Sequence, residues 1–237
     1  MATRKKVDTT VDTQAGASVK LASVLLDRSG SMNGMWDQAI RSYNSYVDGL
    51  GNTEDLLLAL TEFDTPEPAH HVHGFVAPSE AIRLNHENYV PRGGTPLWDA
   101  LAQVIAWTGE GAARVQRETK AGLPPPVLVV IITDGEENSS RFWNSASING
   151  LIKEKETQGW TFMYLGTERE AWKNEQAFVG TMAGSNVTRT SGMRGYGANV
   201  RYAASATADW AATARAGGET MSLVSDEDRK KLREASE

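Results

Sequence analysis

In the segment Asp27-Arg28-Ser29-Gly30-Ser31, one carboxylate and two hydroxyls stand two residues apart on a glycine-containing turn. Short oxygen side chains of this kind suit a hard divalent cation. Mg²⁺ prefers oxygen, takes octahedral geometry and keeps several of its waters, so one or two carboxylates suffice. Asp, Ser and Gly are also ordinary turn formers, and alone the pentapeptide reads equally well as a plain loop. Two later stretches carry matching chemistry. In Gly93-Gly94-Thr95-Pro96 the glycines let the backbone approach an ion closely, and Thr95 supplies a hydroxyl. Thr followed by Pro also reads as N-cap and first residue of a helix, a role compatible with metal contact. Thr133-Asp134-Gly135 closes a strongly β-branched run and delivers a second carboxylate. Glu136 and Glu137 add negative potential there and are read as solvated rather than ligating. Phe142 and Trp143 follow, either as core or as interface anchors beside a polar site.

The elements that must position these residues are marked by periodicity. Leu21 to Leu26 is nearly continuous apolar sequence, as in a central parallel strand covered on both faces, which puts Asp27 at a carboxyl end, where open α/β sheets hold ligands. Trp36, Ile40, Tyr43, Val47 and Leu50 recur at helical steps and close near Gly49 and Gly51. Leu56 to Phe63 reads as a strand, joined through Asp64-Thr65-Pro66-Glu67-Pro68 to another, His70 to Val76. His71 and His73, two apart, are expected to share the polar outer face of that edge strand; a zinc pair there lacks a third ligand. Leu97 to Thr108 is helical, Gly109 to Pro126 reads as a polar connection, and Val127 to Ile132 is a second buried strand. A helix through Ile148, Leu151 and Ile152 stops at Gly159, and Trp160 to Leu165 is the next strand. Glu168 to Val179 reads as a helix, Asn186 to Thr190 as a weak strand, and Val200 to Ala214 as an Ala-rich amphipathic helix closed by Gly217-Gly218. Ser225 is placed to cap a charged terminal helix.

Sustained alternation of strand and helix predicts an α/β fold, a doubly wound, mostly parallel central sheet with helices on both faces. Residues 1–18 read as a flexible polar lead-in, 19–216 as the domain, and 217–237 as a charged tail or helix. Hydrophobic residues make up 40% and charged residues 23%, a globular balance. A net charge of -6 disfavours nucleic acid as a partner. The absence of cysteine removes disulfides, thiolate metal sites and thiol nucleophiles. With no apolar leader and no run near the roughly 18 apolar residues of a membrane span, a soluble cytoplasmic protein without membrane association is expected.

The ordered set Asp-x-Ser-x-Ser, a distant Gly-Gly-Thr, and Thr-Asp-Gly at the end of an apolar strand resembles the von Willebrand factor A-type domain, in an intracellular bacterial or phage form, over roughly Val19 to Ala216. That resemblance implies one antiparallel edge strand, which the short Asp64 to Pro68 connection supports independently. It also implies a metal-ion-dependent adhesion site. Ser29 and Ser31 would bind Mg²⁺ directly, with Mn²⁺ or Ca²⁺ as alternatives. Asp27 and Asp134 would bind it directly or through water, and Thr95 would join or leave with conformational state. The implied function is a non-enzymatic protein-binding module whose ion bridges to an Asp or Glu of a partner, with Arg28, Phe142 and Trp143 surrounding the contact. Two other readings stand beside it. One is a metal-assisted hydrolase or phosphotransferase, which lacks a Walker-type loop and any metal-site motif around His70, His71, His73 or His86. The other is an accessory component of a virion or other assembly.

Overall fold

The computed structural model describes residues 19–51, 53–134, 137–167, 186–190 and 192–234. Six strands, β1 (Lys20–Asp27), β2 (Leu56–Phe63), β3 (His70–Val76), β4 (Val127–Ile132), β5 (Thr161–Thr167) and β6 (Val187–Thr190), form one sheet in the order β3-β2-β1-β4-β5-β6. All neighbours run parallel except β2 and β3, which are antiparallel. The chain winds outward from β1 to one edge and from β4 to the other, so the strand order reverses between β1 and β4. The carboxyl ends of those two strands form the crevice in which such sheets bind ligands. Register fixes what meets there: Leu26 pairs with Ile132, so Asp27 and Thr133 are the next residues out on adjacent strands.

Every residue of β1 is buried, because helices cover both faces. Ala22, Val24 and Leu26 pack with α1 (Trp36–Leu50) and α4 (Gly192–Thr213). Leu21 and Leu25 pack on the opposite face with α2 (Leu97–Thr119) and α3 (Ser145–Thr157). Alternation along a strand with period two produces this division. The charged end forms α5 (Asp226–Glu234), and the Ser225 cap is present, since Asp228 N donates to Ser225 Oγ at 3.1 Å. This segment packs on the domain: Val224 and Leu232 are buried, and the Tyr202 hydroxyl donates to the Leu223 carbonyl at 2.6 Å.

Within the secondary structure the observed elements depart from the sequence reading in two places. The polar connection expected from Gly109 is helical as far as Thr119. Gly111 is not a breaker here but a close-packing position, because a Cβ on it would fall 2.5 Å from Phe75 Cε2. His71 and His73 do not share a face. Leu60 pairs with His73 and Thr61 with His71, so β3 carries an extra residue and the side-chain alternation is reset. His73 is buried against the Tyr43 hydroxyl at 3.1 Å, whereas His71 stacks on Trp107 of α2. The expected helix from Glu168 to Val179 and the lead-in 1–18 lie outside the described residues.

Candidate metal centre

β1 ends on Asp27, which is fully buried. Its Oδ1 accepts from Ser29 N at 2.7 Å and its Oδ2 from Thr133 Oγ1 at 2.5 Å, so the carboxylate faces along the sheet crevice. The following backbone is stitched to its neighbours. Arg28 N donates to Phe63 O at 2.9 Å, Arg92 N to Arg28 O at 2.8 Å, and Gly30 N to Gly93 O at 3.0 Å. The Tyr89 hydroxyl donates to the Asp27 carbonyl at 2.6 Å. Held in this way, Ser29 Oγ lies 3.0 Å from Ser31 Oγ, and Ser31 Oγ donates to Asp134 Oδ1 at 3.0 Å. The structure thus joins four of the five expected ligands in one hydrogen-bonded array.

Thr95 is buried on the adjoining loop, two residues beyond the Gly93 that holds Gly30. It is not the helix cap. Pro96 holds that position and no side chain bonds from it. The cap comes instead from a distant loop: Trp98 N donates to Glu137 Oε2 at 3.0 Å, and Asp99 N to Ser140 Oγ at 3.2 Å. A carboxylate at a helix N-terminus is electrostatically favoured. Glu137 is therefore not the solvated residue expected from the sequence, whereas Glu136 and Gly135 lie outside the described residues. Thr95 is fixed through its backbone, its N–H donating to Asn138 Oδ1 at 2.9 Å and its carbonyl accepting from Asn138 N at 3.1 Å. Gly93 has φ +67°, and a Cβ there would fall 2.3 Å from Thr65 Oγ1. Gly93→Ala is expected to cost about 1–3 kcal/mol in chemical denaturation, since it combines overpacking with an unfavourable backbone conformation.

The electrostatics favour a cation. Burial, then the charge of Asp134, push the Asp27 carboxyl from 3.8 up to about 7, against the opposing hydrogen bonds from Thr133 and Ser29. A second feature points to the same place. The Tyr196 hydroxyl on α4 is buried without a hydrogen-bond partner. Burial, Asp134 and Asp27 in that order hold its pKa well above the ordinary tyrosine value. An orphaned donor near two carboxylates that repel one another is a setting that an ion with ordered waters completes. The donor set, two carboxylates and three hydroxyls, matches the oxygen preference of Mg²⁺. Among the described residues no three His, Asp or Glu side chains gather to hold a metal, so an ion here would depend on the hydroxyls and on water.

Arg28 corrects an expectation. The resemblance puts it around the partner contact, but it is buried, with Nη1 on Glu62 at 2.9 Å, Nε on Asp64 at 3.0 Å and Nη2 on Glu67 at 2.8 Å. Arg92 completes the cluster, reaching Asp64 at 2.7 Å and also Glu67. A guanidinium this close to the core needs carboxylate partners, and β2 supplies them because Leu26 lies in register with Glu62. Burial still pushes Glu62 up to about 7, although Arg28 opposes this. The sequence held one signal of this cluster, a Glu inside an otherwise apolar strand. Of the two aromatics, Phe142 is 88% exposed, whereas Trp143 is partly buried against the apolar cluster of α2 and β4.

No protein-family model and no curated protein matches the sequence. Solved structures share the fold. One is a von Willebrand factor type A protein from Catenulispora acidiphila, 19% identical, TM-score 0.55, covering 81% of this chain and 43% of that one. Another is the mussel byssus proximal thread matrix protein 1, 16% identical, TM-score 0.56, covering 81% of this chain and 47% of that one. A third is the vWF domain of the type V pili tip protein Mfa5 from Porphyromonas gingivalis, 10% identical, TM-score 0.55, covering 86% of this chain and 99% of that domain. This chain thus spans less than half the length of the first two. At these identities the likeness establishes the fold: a mostly parallel α/β sheet with one antiparallel edge, as in von Willebrand factor A-type structures.

Proposed function

We propose that the chain is a protein-binding module in which a divalent cation, Mg²⁺ foremost, bridges the rim of the sheet to an Asp or Glu of a partner protein. The observation that carries this reading is the array Asp27, Ser29, Ser31 and Asp134, with Thr95 freed from capping on the adjoining loop. Ser29, Ser31 and Thr95 would offer hydroxyl oxygens to the ion, and Asp27 and Asp134 would hold it directly or through water. The ion would neutralise the two carboxylates and attract a third. Without it, Asp27 and Asp134 repel an incoming carboxylate, so binding should require the metal. The names of two proteins of similar fold, a pili tip protein and a byssal thread matrix protein, agree with a role in adhesion or assembly.

The histidines give no support to a hydrolytic reading. His71 is occupied with Thr61 at 2.8 Å, His73 with Tyr43 at 3.1 Å and His86 with Asp37 at 2.9 Å. None of them joins the array as a general base. The purified protein is therefore expected to show no phosphoesterase turnover with Mg²⁺, measured on a generic aryl phosphate; turnover lost in Asp134→Ala would overturn that reading.

The binding role is tested by selecting short displayed random peptides on the immobilised protein in Mg²⁺ and in EDTA. Peptides bearing Asp or Glu should be enriched in Mg²⁺, be released by EDTA, and fail to bind Asp134→Ala. Recovery of the same peptides in EDTA would refute the metal bridge.

A further inference from the structure

The loop between β4 and α3 is fastened to the first turn of α2 along its described length. At its start, Asn138 exchanges two bonds with the Thr95 backbone, at 2.9 and 3.1 Å. Glu137 and Ser140 accept from the N–H groups of Trp98 and Asp99 in that turn. In the reverse direction, the Asp99 carboxylate accepts from Arg141 N at 2.7 Å, Phe142 N at 3.1 Å and Trp143 N at 2.8 Å. Asn144 begins α3 with a reciprocal cap to Ser147 at 3.0 Å in both directions. Asp99 itself is buried, and the Trp143 ring rests against the core.

Between these fixed points, the Phe142 side chain is 88% exposed, against 43%, 42% and 52% for Ile82, Val90 and Leu123, the other exposed large apolar residues among those described. On a loose loop such a ring could turn back toward apolar surface. Here its backbone is clamped from one side by Asp99 and from the other by the cap of α3. The ring stands in water on the same loop that fixes Thr95. Rigid, exposed aromatics held ahead of binding are the usual anchors of protein recognition, because their ordering has already occurred.

We infer that Phe142 is the apolar anchor of partner recognition, presented by Asp99 as a positioning residue, and that the partner is a protein segment carrying an apolar side chain at a fixed spacing from the carboxylate that reaches the metal. The inference rests on the metal-bridged reading above and adds a second chemical requirement to it. Charge complementarity agrees, since the exposed Arg141 beside Phe142 favours an acidic segment.

The same peptide selection separates the two requirements. Peptides enriched in Mg²⁺ should carry an aromatic or branched aliphatic residue at constant spacing from the Asp or Glu. Phe142→Ala should abolish the apolar preference and weaken those peptides roughly tenfold or more, while keeping the acidic preference and the thermal response to Mg²⁺. Phe142→Trp should restore binding. Asp99→Ala, folded by circular dichroism and still responsive to Mg²⁺, should weaken the same peptides by a similar factor. Acidic peptides without an apolar preference, or equal affinity for Phe142→Ala, would overturn the anchor alone, and no enrichment at all would overturn the metal bridge and the anchor with it. An apolar preference that persists unchanged in EDTA would instead overturn the metal bridge on which it rests.

Discussion

Arg28→Ala is expected to destabilise the protein by about 3–5 kcal/mol, the range for breaking a buried ion pair by removing one partner. Arg28 contacts Glu62, Asp64 and Glu67, and the side chains of Glu62 and Asp64 are fully buried. Removing the guanidinium leaves Glu62 without its ion-pair partner and Asp64 with Arg92 alone, in a place that water does not reach. Glu62 Oε1 already lacks a hydrogen-bond partner, so the cluster has little reserve. Arg92→Ala is the internal control. Its side chain is 45% exposed, and its loss should cost about 0–1 kcal/mol, as for surface pairs. Arg28→Met keeps much of the packed stem and separates charge from volume. Urea denaturation of the three variants measures the difference, and a cost below 1 kcal/mol for Arg28→Ala would return this residue to the rim.

The second large effect concerns Asp27. Its carboxyl is near 3.8 when unfolded and about 7 when folded, so between these values the folded state binds more protons than the unfolded one. The stability of the metal-free protein should therefore fall as pH rises from about 4 to about 7, and stay reduced above that. A tenfold change in proton affinity corresponds to about 1.4 kcal/mol, so the loss is on the order of 4 kcal/mol. Glu62, raised to about 7 by burial, acts in the same direction. The difference between wild type and Asp27→Asn isolates the Asp27 contribution. In EDTA at pH 8, Asp27→Asn should be the more stable protein, because it removes a buried charge that faces Asp134. Its stability should also lose the Asp27 part of the pH dependence. Equal pH profiles for the two proteins would contradict this account. If Asp27 serves as a ligand to the proposed ion, its cost to the metal-free fold is the familiar exchange of stability for function.

Much of the fold was legible because its signals are local. The bounds of β2 and β4 follow from apolar runs and those of β3 from the turn residues before it, and the register of β1 against β4 places Asp27 and Asp134 at one crevice. What was not legible depends on residues distant in the chain. The stretch from Gly109 read as a polar connection because nothing nearby shows that Phe75 occupies the space above Gly111 and that the helix continues past it. The Thr95-Pro96 pair looked like a cap because nothing nearby shows that Glu137 and Ser140 take that role from across the crevice. Arg28 looked like a rim residue because only the pairing of β1 with β2 brings it to Glu62 and Asp64. The two histidines of β3 were separated by an extra residue at Val72, and the one local sign of irregularity in that strand, Gly74, does not place it there. At the site itself, the motif residues were readable, whereas Asp99, Asn138 and Tyr196, which fasten or face the rim, carry no local pattern.

Whether Asp27, Ser29, Ser31, Thr95 and Asp134 hold one divalent cation is decided by calorimetric titration of Mg²⁺ into the metal-free protein at pH 8. One ion should bind per chain, with a gain of about 2.7 kcal/mol in folding stability at a hundredfold excess over the dissociation constant, and neither effect should appear in Asp27→Asn or Asp27→Ala. Wild type that gives no binding heat and no stabilisation, or an Asp27 variant that binds Mg²⁺ as wild type does, would contradict it.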